Sequence, residues 1–465
     1  MAPVIVIVGR PNVGKSTLFN RITRTRDALV ADRPGVTRDR RYGFGAYNDT
    51  SFILVDTGGI GDSDTDNTPF ADQVSEQSFF AINEADIVFW LVDGRNGLAT
   101  TDEILAEKLR PICSKMFLLV NKTEGMLSDL VCADFHALGV GTPLPISAAH
   151  GDGVSDIMDM ALAELPVSKS ANKSEDDGVR IAIIGRPNVG KSTLVNRVLG
   201  EPRMLIYDEP GTTRDSITIP FERNGQHYEL VDTAGVRRRS RVSDQVEKLS
   251  ILKSLQAIES AEIIIAILDA SEAITDQDLH LLGITAESGK PLVIAINKWD
   301  MLTRDQKTSI RSQVNRKLTF VDYACIHYMS ALKGSGIGKI FSSIISISKS
   351  IELTIKPSAL TAILAEATTM HPPHVINGRR IKLRYAHLGG HNPLRVIIHG
   401  NQTARIPANY VRYLENFYRK RLRIVGTPVF IQFKYSDNPY KNKKNVLTKK
   451  QFQKRKRLIK HSGRK

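Results

Sequence analysis

The octapeptide GRPNVGKS occurs twice in this chain of 465 residues, at Gly9–Ser16 and, unchanged, at Gly185–Ser192. Many motifs at one long spacing indicate a duplicated domain rather than a solenoid of short repeats. Further pairs recur at the same spacing of 176 residues: Thr37 and Thr213, Asp56 and Asp232, Asp93 and Asp269, and Asn121 and Asn297. One later pair of dipeptides, Ser147–Ala148 and Ser330–Ala331, has drifted to a spacing of 183.

Each copy alternates short apolar runs with stretches of helical character, and every polar motif follows an apolar run. VIVIV precedes the first octapeptide, IVFWLV precedes Asp93, and MFLLV precedes Asn121. This order predicts an α/β fold in which each copy has a doubly wound, mostly parallel sheet. The motifs then fall at the carboxyl ends of the strands, where open α/β sheets bind ligands.

The predicted organisation has five parts. Residues 1–165 form the first copy and 179–350 the second, and the polar, aperiodic segment 166–178 links them. Residues 351–440 show a helix, two strands, a helix and a third strand in that order, which predicts a small α+β domain. Residues 441–465 form a basic tail that we expect to be disordered on its own.

GxxxxGKS between a strand and a helix is the pattern of a phosphate-binding loop, or P-loop. Its glycines let the backbone wrap closely around phosphates, and its N–H groups and the following helix N-terminus face negative charge. We expect the lysine to contact the β- and γ-phosphates and the serine to ligate Mg²⁺. The residues predicted to bind nucleotide here are Gly9, Asn12, Gly14, Lys15, Ser16 and Thr17, and Gly185, Asn188, Gly190, Lys191, Ser192 and Thr193.

DxxG follows the next strand of each copy, and its aspartate is a second candidate ligand for Mg²⁺. Its closing glycine can offer a backbone N–H to the γ-phosphate, and a threonine before it can close over the metal when triphosphate is bound. The predicted Mg²⁺ ligands are Ser16, Thr37 and Asp56, and Ser192, Thr213 and Asp232. The residues expected to support catalysis are Lys15, Thr37 and Gly59, and Lys191, Thr213 and Gly235.

The motif NKWD in the second copy distinguishes guanine from adenine. Asp300 can accept two hydrogen bonds, from guanine N1–H and the exocyclic amine, which adenine cannot supply. We expect Lys298 to stack on the base, Asn297 to tie loops together and the Ala331 N–H to face guanine O6. The first copy has NKTE, so Glu124 replaces the expected aspartate and leaves the base selectivity of that site open. The predicted base-binding residues are Asn121, Lys122, Glu124, Ser147 and Ala148, and Asn297, Lys298, Asp300, Ser330 and Ala331.

Many GTPases place a glutamine after DxxG to orient the attacking water, but this chain has Ile60 and Val236 there. We therefore expect slow intrinsic hydrolysis, or hydrolysis organised by other groups. Asn12 and Asn188 can help to ligate a monovalent cation that neutralises phosphate charge. The alternative is that these asparagines only cap their loop.

Positive charge is concentrated at the end of the chain. The net charge is +15, but residues 351–465 hold 25 Lys and Arg against four carboxylates, so the first 350 residues carry −6. The tail alone holds 12 of these basic residues and no carboxylate. Four more cluster around the first strand of the third domain: Arg379, Arg380, Lys382 and Arg384. This asymmetry predicts salt-dependent binding to a polyanion, and a merely solvated basic face is the alternative.

Two such domains in tandem, each opening with GRPNVGKS and followed by a small basic domain, resemble the Der (EngA) family of bacterial GTPases over essentially the whole chain. The resemblance implies GTP hydrolysis in ribosome biogenesis, with the large ribosomal subunit and its rRNA as partners. It implies a KH-like RNA-binding fold for residues 351–440, although no GxxG clamp is evident there. It also implies K⁺-stimulated hydrolysis through Asn12 and Asn188, and it fits Ile60 and Val236.

The sequence thus predicts a GTP-hydrolysing molecular switch with two GTP/GDP sites and Mg²⁺. Two alternatives are a metabolic enzyme that uses GTP to gate a separate active site, and a membrane-surface or cytoskeletal GTPase whose basic end binds anionic lipid. No convincing catalytic constellation lies outside the nucleotide motifs, and the few bulky apolar residues of the tail favour RNA over lipid. Three widely spaced cysteines, no bilayer-spanning apolar run and no signal peptide predict a cytoplasmic protein. We expect no stable membrane association and a monomer when the protein is free.

Overall fold

The computed structural model describes residues 2–23, 41–48, 50–57, 81–83, 85–113, 115–165, 178–200, 205–206, 218–231, 245–351, 353, 355–376, 379–391 and 393–435. The basic tail and, apart from Gly178, the predicted linker lie outside these residues. The domain boundaries given above therefore stay predictions.

The described part of the first copy contains one six-stranded sheet. Its strands are β1 (Val4–Gly9), β2 (Arg41–Tyr47), β3 (Thr50–Asp56), β4 (Ile87–Asp93), β5 (Met116–Asn121) and β6 (Leu144–Pro145). Its helices are α1 (Lys15–Thr23), α2 (Thr100–Leu109), α3 (Ser128–Ala133) and α4 (Val154–Ala163). The strand order is β2-β3-β1-β4-β5-β6. Only the β2–β3 pair is antiparallel among these described strands.

The second copy repeats this plan with seven strands among its described residues. The strands are β7 (Val179–Ile184), β8 (Leu205–Ile206), β9 (Ile219–Arg223), β10 (Gln226–Val231), β11 (Ile263–Asp269), β12 (Leu292–Asn297) and β13 (Cys325–Tyr328). The helices are α5 (Lys191–Leu199), α6 (Gln245–Ser260), α7 (Asp276–Ser288), α8 (Arg304–Lys317) and α9 (Ile337–Ile351). The order is β13-β12-β11-β7-β10-β9-β8, antiparallel only from β8 to β10. The predicted mostly parallel sheets are confirmed.

Burial on both faces explains why the central strands are continuous apolar runs. In β1, Val4, Val6 and Val8 belong to one hydrophobic cluster, while Ile5 and Ile7 belong to another, and all five are fully buried. Successive side chains of a strand point to opposite faces, so the two clusters lie on opposite faces of the sheet. This is the doubly wound arrangement, and it leaves the carboxyl ends of the strands free for a ligand.

The third domain has the predicted order of helix, two strands, helix and strand. Its helices are α10 (Pro357–Met370) and α11 (Ala408–Leu422), and its sheet contains β16 (Leu383–His391), β17 (Leu394–Gly400) and β18 (Val429–Tyr435). β16 and β17 are antiparallel, and β17 and β18 are parallel. Both helices pack on one face of this sheet around a core that includes Leu360, Leu414 and Val396. A small hairpin of β14 (Val375–Ile376) and β15 (Arg379–Arg380) precedes it.

The first strand of this sheet differs from what its sequence predicts, since the alternation of apolar and basic residues in IKLRYAH favours a strand over residues 381–387. It begins at Leu383 and continues through Gly389 and Gly390 to His391. A Cβ on Gly389 would lie 2.5 Å from Ile397 Cδ1 on the paired strand, so the missing side chain lets Ile397 pack across it. Glycine therefore extends this strand, whereas its usual effect in a strand is to weaken it.

The third domain packs against the second copy. The Leu292 N–H at the start of β12 donates to the Gly426 carbonyl over 2.8 Å. Arg419 Nη1 on α11 lies 2.9 Å from Asp322 Oδ1 of the second copy. Gly426 has a φ of 62°, and a Cβ there would lie 2.5 Å from Ile347 Cδ1. The connection before β18 thus fits closely against α9 and β12.

The cysteines are spread over the fold. Cys132 is buried, whereas Cys113 and Cys325 are partly buried. Burial raises the pKa of the Cys113 thiol to about 11, so the thiol stays protonated at neutral pH. Among the described helices, none combines the length and the apolar character that crossing a membrane requires.

Candidate nucleotide-binding sites

The P-loops require glycine at two places. Gly9 ends β1 with a φ of 147°, and a Cβ there would lie 2.3 Å from the Leu91 carbonyl oxygen. Gly14 precedes α1 with a φ of 104°, and its Cβ would lie 2.2 Å from Asn121 Nδ2. The second copy repeats both contacts, at 2.6 Å for Gly185 and Ile267 O, and at 2.2 Å for Gly190 and Asn297 Nδ2. Each loop therefore packs directly against the neighbouring strand and against the NKTE or NKWD motif of its own copy. We call this motif the base-reading motif.

The P-loop lysines are held inside their loops. Lys15 Nζ donates to the Arg10 carbonyl over 2.7 Å, and Lys15 is only 5% exposed. Lys191 Nζ donates to the carbonyls of Gly185 and Arg186, each over 2.7 Å. Burial lowers the pKa of Lys191 to about 8. The ammonium groups thus lie where the loop would wrap around a phosphate. A phosphate would be a stronger hydrogen-bond acceptor for them than the backbone carbonyls.

The first copy also assembles two predicted Mg²⁺ ligands. Ser16 Oγ donates to Asp56 Oδ2 over 2.8 Å, and Asp56 is 3% exposed. Asp56 Oδ1 is buried and has no hydrogen-bond partner among the described residues. A buried carboxylate oxygen without a partner, beside a serine hydroxyl, is a donor set that suits a hard cation such as Mg²⁺. Thr17 and Thr193 follow the P-loop serines and are exposed at the start of their helices.

The asparagines of the base-reading motifs tie three loops together. Asn121 Nδ2 donates to the Val13 carbonyl over 2.7 Å, and its Oδ1 accepts from the Ala148 N–H over 2.8 Å. Asn297 makes the same two bonds, to Val189 and from Ala331, at the same lengths. Because the Ala331 N–H is held by Asn297 here, its predicted contact with guanine O6 stays a prediction.

The lysines that follow pair with an aspartate one strand away. Lys122 Nζ lies 2.7 Å from Asp93 Oδ2 and also donates to the Asn12 carbonyl over 2.7 Å. In the second copy, Lys298 pairs with Asp269 in the same way. Burial alone would raise the pKa of Asp93, but hydrogen bonds, chiefly from Lys122, lower it below its usual value. The pairs hold each lysine stem beside its P-loop, where the predicted contact with the base would form.

The two base-reading carboxylates have related surroundings. The pKa of Glu124 is lowered by its own backbone N–H and then by Ser147, whereas that of Asp300 is lowered first by Ser330. Glu124 Oε1 accepts from Arg95 Nη2 over 2.6 Å. Asp300 Oδ2 instead lies 3.3 Å from Lys333 Nζ. Glu124, which is one methylene longer than aspartate, thus has the guanidinium of Arg95 as a partner. In the second copy, Ser271 stands at the position that corresponds to Arg95.

Several predicted site residues lie outside the described part of the chain: Thr37, Gly59, Thr213, Asp232 and Gly235. Their roles stay predictions. Asn12 and Asn188 are described and exposed, and both have left-handed backbone, with φ of 63° and 62°. Asparagine tolerates this conformation better than most residues, so the loop geometry alone gives it a reason to be there.

One feature of both sites was missed at the sequence level. Arg10 Nε donates to Asp102 Oδ1 over 2.8 Å, and Arg186 Nε donates to Asp278 Oδ1 over 2.8 Å. Each aspartate also accepts the backbone N–H of the residue before its helix, Ala99 or Thr275. The signal was present, because both members of the pair recur at the spacing of 176 residues. The pair fastens the P-loop to α2 or α7.

The third domain carries part of the predicted basic cluster on its surface. Lys382 and Arg384 are exposed, and Arg379 and Arg380 form β15. Both carboxylates described in this domain, Glu366 and Glu415, lie on the two helices. The sheet strands contain no acidic residue at all.

Two family profiles match three stretches of the chain. The profile described as "50S ribosome-binding GTPase" matches residues 4–122 and again 180–298. The profile described as "KH-domain-like of EngA bacterial GTPase enzymes, C-terminal" matches residues 354–434. The two GTPase matches cover both P-loops and both base-reading motifs up to the lysine.

Two curated relatives that match along the whole chain carry the same name. GTPase Der of Legionella pneumophila (strain Corby) is 52% identical over 460 residues, covering 99% of this chain and 98% of the relative. GTPase Der of Thioalkalivibrio sulfidiphilus is 50% identical over 468 residues, covering both chains completely. Among solved structures, Era of Aquifex aeolicus bound to GDP and AlF4⁻ matches with a TM-score of 0.29 and 19% identity, over 56% of this chain and 93% of that one.

Proposed function

The chain belongs to the GTPase Der family, and from this premise we propose that it binds the large ribosomal subunit and its rRNA and promotes maturation of that subunit. It is a GTPase and a GTP-binding switch. The observation that carries the proposal is the junction between the second nucleotide site and a basic, KH-like domain. We place this activity in the cytoplasm, where ribosomes assemble.

The chemistry of hydrolysis rests on charge stabilisation. Lys15 and Lys191, with the amides of their loops, would stabilise negative charge on the phosphates as water attacks in line with the leaving group. Ser16 and Asp56 would hold Mg²⁺ in the first site, with Thr37 as a further ligand, and the second site would use Ser192, Thr213 and Asp232. Bound Mg²⁺ would add positive charge beside the β- and γ-phosphates. No side chain at Ile60 or Val236 can hydrogen-bond to the water.

A monovalent cation would complement this charge. We assign the loop asparagines, Asn12 and Asn188, to a K⁺ site in each P-loop. Both are exposed at the loop surface, where a cation next to bound phosphate could reach them. Both residues have left-handed backbone, which favours asparagine over most other residues. Glycine would adopt this conformation even more readily, so the presence of asparagine is consistent with a role for its amide oxygen.

The contact between the domains provides a route from nucleotide to RNA. β12 begins at Leu292, which bonds to Gly426 of the third domain, and ends at Asn297 of the base-reading motif. A change at the second nucleotide site would therefore reach the third domain through one strand. A ligand can shift the arrangement of the domains only if it interacts differently with the two arrangements. The link through β12 would let nucleotide at the second site do so.

Sedimentation tests this function directly. The full chain is mixed with purified large subunits in GDP or in a non-hydrolysable GTP analogue, and Lys191→Met serves as a control with an impaired second site. We expect co-sedimentation with the subunit in one nucleotide state and its loss in the variant. Equal binding in both states, or binding only to anionic liposomes in a parallel arm, would contradict the proposal and favour a lipid partner.

A further inference from the structure

The sheet of the third domain has two chemically different faces. On the face towards the helices, Ala386, Val396 and Ile398 are fully buried in the core. On the other face, Tyr385 pairs directly with His399 across the strands, and His399 pairs directly with Lys434. Residues paired across strands share a face, and His387, two residues after Tyr385, joins them. Tyr385 is 44% exposed, and both histidines are partly exposed.

The three rings of this face lie close enough to form one surface, which we call the ring platform: Tyr385, His387 and His399. The ring centres of Tyr385 and His387 are 5.5 Å apart with planes 24° apart. Those of His387 and His399 are 5.1 Å apart at 27°. Tyr385 and His399 are 5.8 Å apart at 47°. These rings form a layer on the sheet face opposite the helices, and the same face also carries Ile397 and Phe430, which are buried.

Charge around the ring platform favours a negatively charged partner. The three strands contain no carboxylate, and Lys434 stands beside His399. The described carboxylates of the domain lie on the helices, where Glu366 pairs with Arg421. Burial, together with His399 and Lys434, lowers the pKa of His387, so this ring is neutral at neutral pH and can stack as an aromatic.

We propose that the ring platform binds unpaired bases of RNA by stacking, with Lys434 against a neighbouring phosphate. Single-stranded RNA is recognised by splayed bases that stack on tyrosine, histidine and similar rings, and a positive charge follows the backbone. A duplex hides its bases and would not use the rings. Because no GxxG clamp is evident in the sequence of residues 351–440, we assign the contact with bases to this face of the sheet. This inference rests on the proposed function in taking RNA as the partner.

Fluorescence anisotropy of the full chain with a labelled ten-nucleotide single-stranded RNA tests the ring platform. Tyr385→Leu and His399→Leu should each weaken binding about tenfold, because each removes a stacking surface. Tyr385→Phe and His399→Phe keep a ring and should stay within about twofold of the unmodified chain. Thr369→Ala, on the exposed side of α10, is the matched control and should change nothing. Unchanged thermal unfolding establishes that the variants fold.

The possible outcomes separate this inference from the proposed function. If the chain binds RNA but the leucine variants bind equally well, the ring platform is rejected, while ribosome binding stands. The ring platform is also rejected if a duplex of the same length binds as tightly as the single strand and none of the ring variants changes the affinity. Contacts with phosphates would then account for the binding. Absence of any single-strand binding also rejects the ring platform, and sedimentation with large subunits still decides the proposed function.

Discussion

Arg10 and Asp102 form a short ion pair across 92 residues of sequence, with Arg10 20% exposed at its side chain and Asp102 fully buried. The pair fastens the first P-loop to α2 at the same time as Asp102 caps that helix. Its repetition by Arg186 and Asp278 makes the chain its own control, because each pair serves only one nucleotide site.

Asp102→Asn should weaken nucleotide binding at the first site and lower the free energy of unfolding by about 3 kcal/mol, since it leaves a largely buried guanidinium without its charge partner. Titration calorimetry with GDP, in a Lys191→Met background that silences the second site, measures the affinity. Asp278→Asn in a Lys15→Met background is the matched variant and should affect the second site alone. Lower stability with unchanged GDP affinity would restrict the pair to a role in folding.

Asp300 and Glu124 should differ in what they contribute to base selectivity. Asp300→Ala would remove the two charge-assisted hydrogen bonds that we predict between this carboxylate and guanine, and it should lower the preference for GDP over ADP at the second site about 100-fold. Glu124→Ala should have a smaller effect, because Arg95 donates to Glu124 and would have to give up that contact for the carboxylate to accept from guanine. Competition titrations with GDP and ADP at each site measure both preferences. Equal losses would show that the extra methylene is immaterial.

The two explanations for Asn12 and Asn188 can be separated by glycine. Asn188→Gly keeps the left-handed backbone at φ 62° but removes the amide oxygen. If the amide ligates K⁺, the variant should bind GDP normally and lose most of the difference in GTP turnover between KCl and NaCl. Asn12→Gly tests the first site in the same way. A retained KCl effect in the double variant would leave these asparagines with a purely conformational role.

Local patterns predicted most of the fold, because apolar runs bounded by Gly-rich motifs specify buried strands whatever surrounds them. β1, β4, β11 and β12 are such runs, and the helix and strand order of the third domain followed from the same reasoning. The hairpin of β14 and β15 has strands of only two residues, too short for a periodicity to show. The extension of β16 depends on Ile397 of another strand and so has no local signal.

Site residues were predictable where a motif is contiguous and missed where the partner is distant. Lys15, Asn121 and their counterparts stand in short motifs, whereas Arg10 gains its meaning only from Asp102. Arg95 was missed for the same reason, since its link to Glu124 exists only once β4 and β5 lie side by side. The ring platform likewise depends on the pairing register of β16 and β17, which composition does not reveal.

Docking of the third domain on the second copy should depend on Gly426. Gly426→Ala places a side chain in left-handed backbone, which costs about 1–2 kcal/mol, and within 2.5 Å of Ile347. We expect faster proteolysis between the domains and a lower thermal midpoint, with little change in GDP affinity at the first site. Gly225→Ala is the control, because it is also left-handed, at φ 75°, but has open space around its Cβ position. Equal effects of both variants would assign the loss to backbone strain alone.

Nucleotide binding at the second site should take up a proton at alkaline pH. Burial sets the pKa of Lys191 to about 8, below its usual 10.5, so the free protein has largely released this proton at pH 8.5 while the unfolded chain retains it. Folding stability therefore rises with pH between these two values. Phosphates favour the ammonium form and restore the proton, so binding at pH 8.5 should take up a large fraction of a proton at this site, and almost none at pH 6.5.

Calorimetric titration with GDP in buffers of different ionisation enthalpy measures this uptake. Lys191→Arg is the control because arginine remains protonated throughout this range. Its uptake at pH 8.5 should fall below that of the unmodified chain by the contribution of Lys191. Identical uptake in both proteins would mean that Lys191 is already charged before nucleotide arrives, and that its bonds to the carbonyls of Gly185 and Arg186 keep it protonated despite burial.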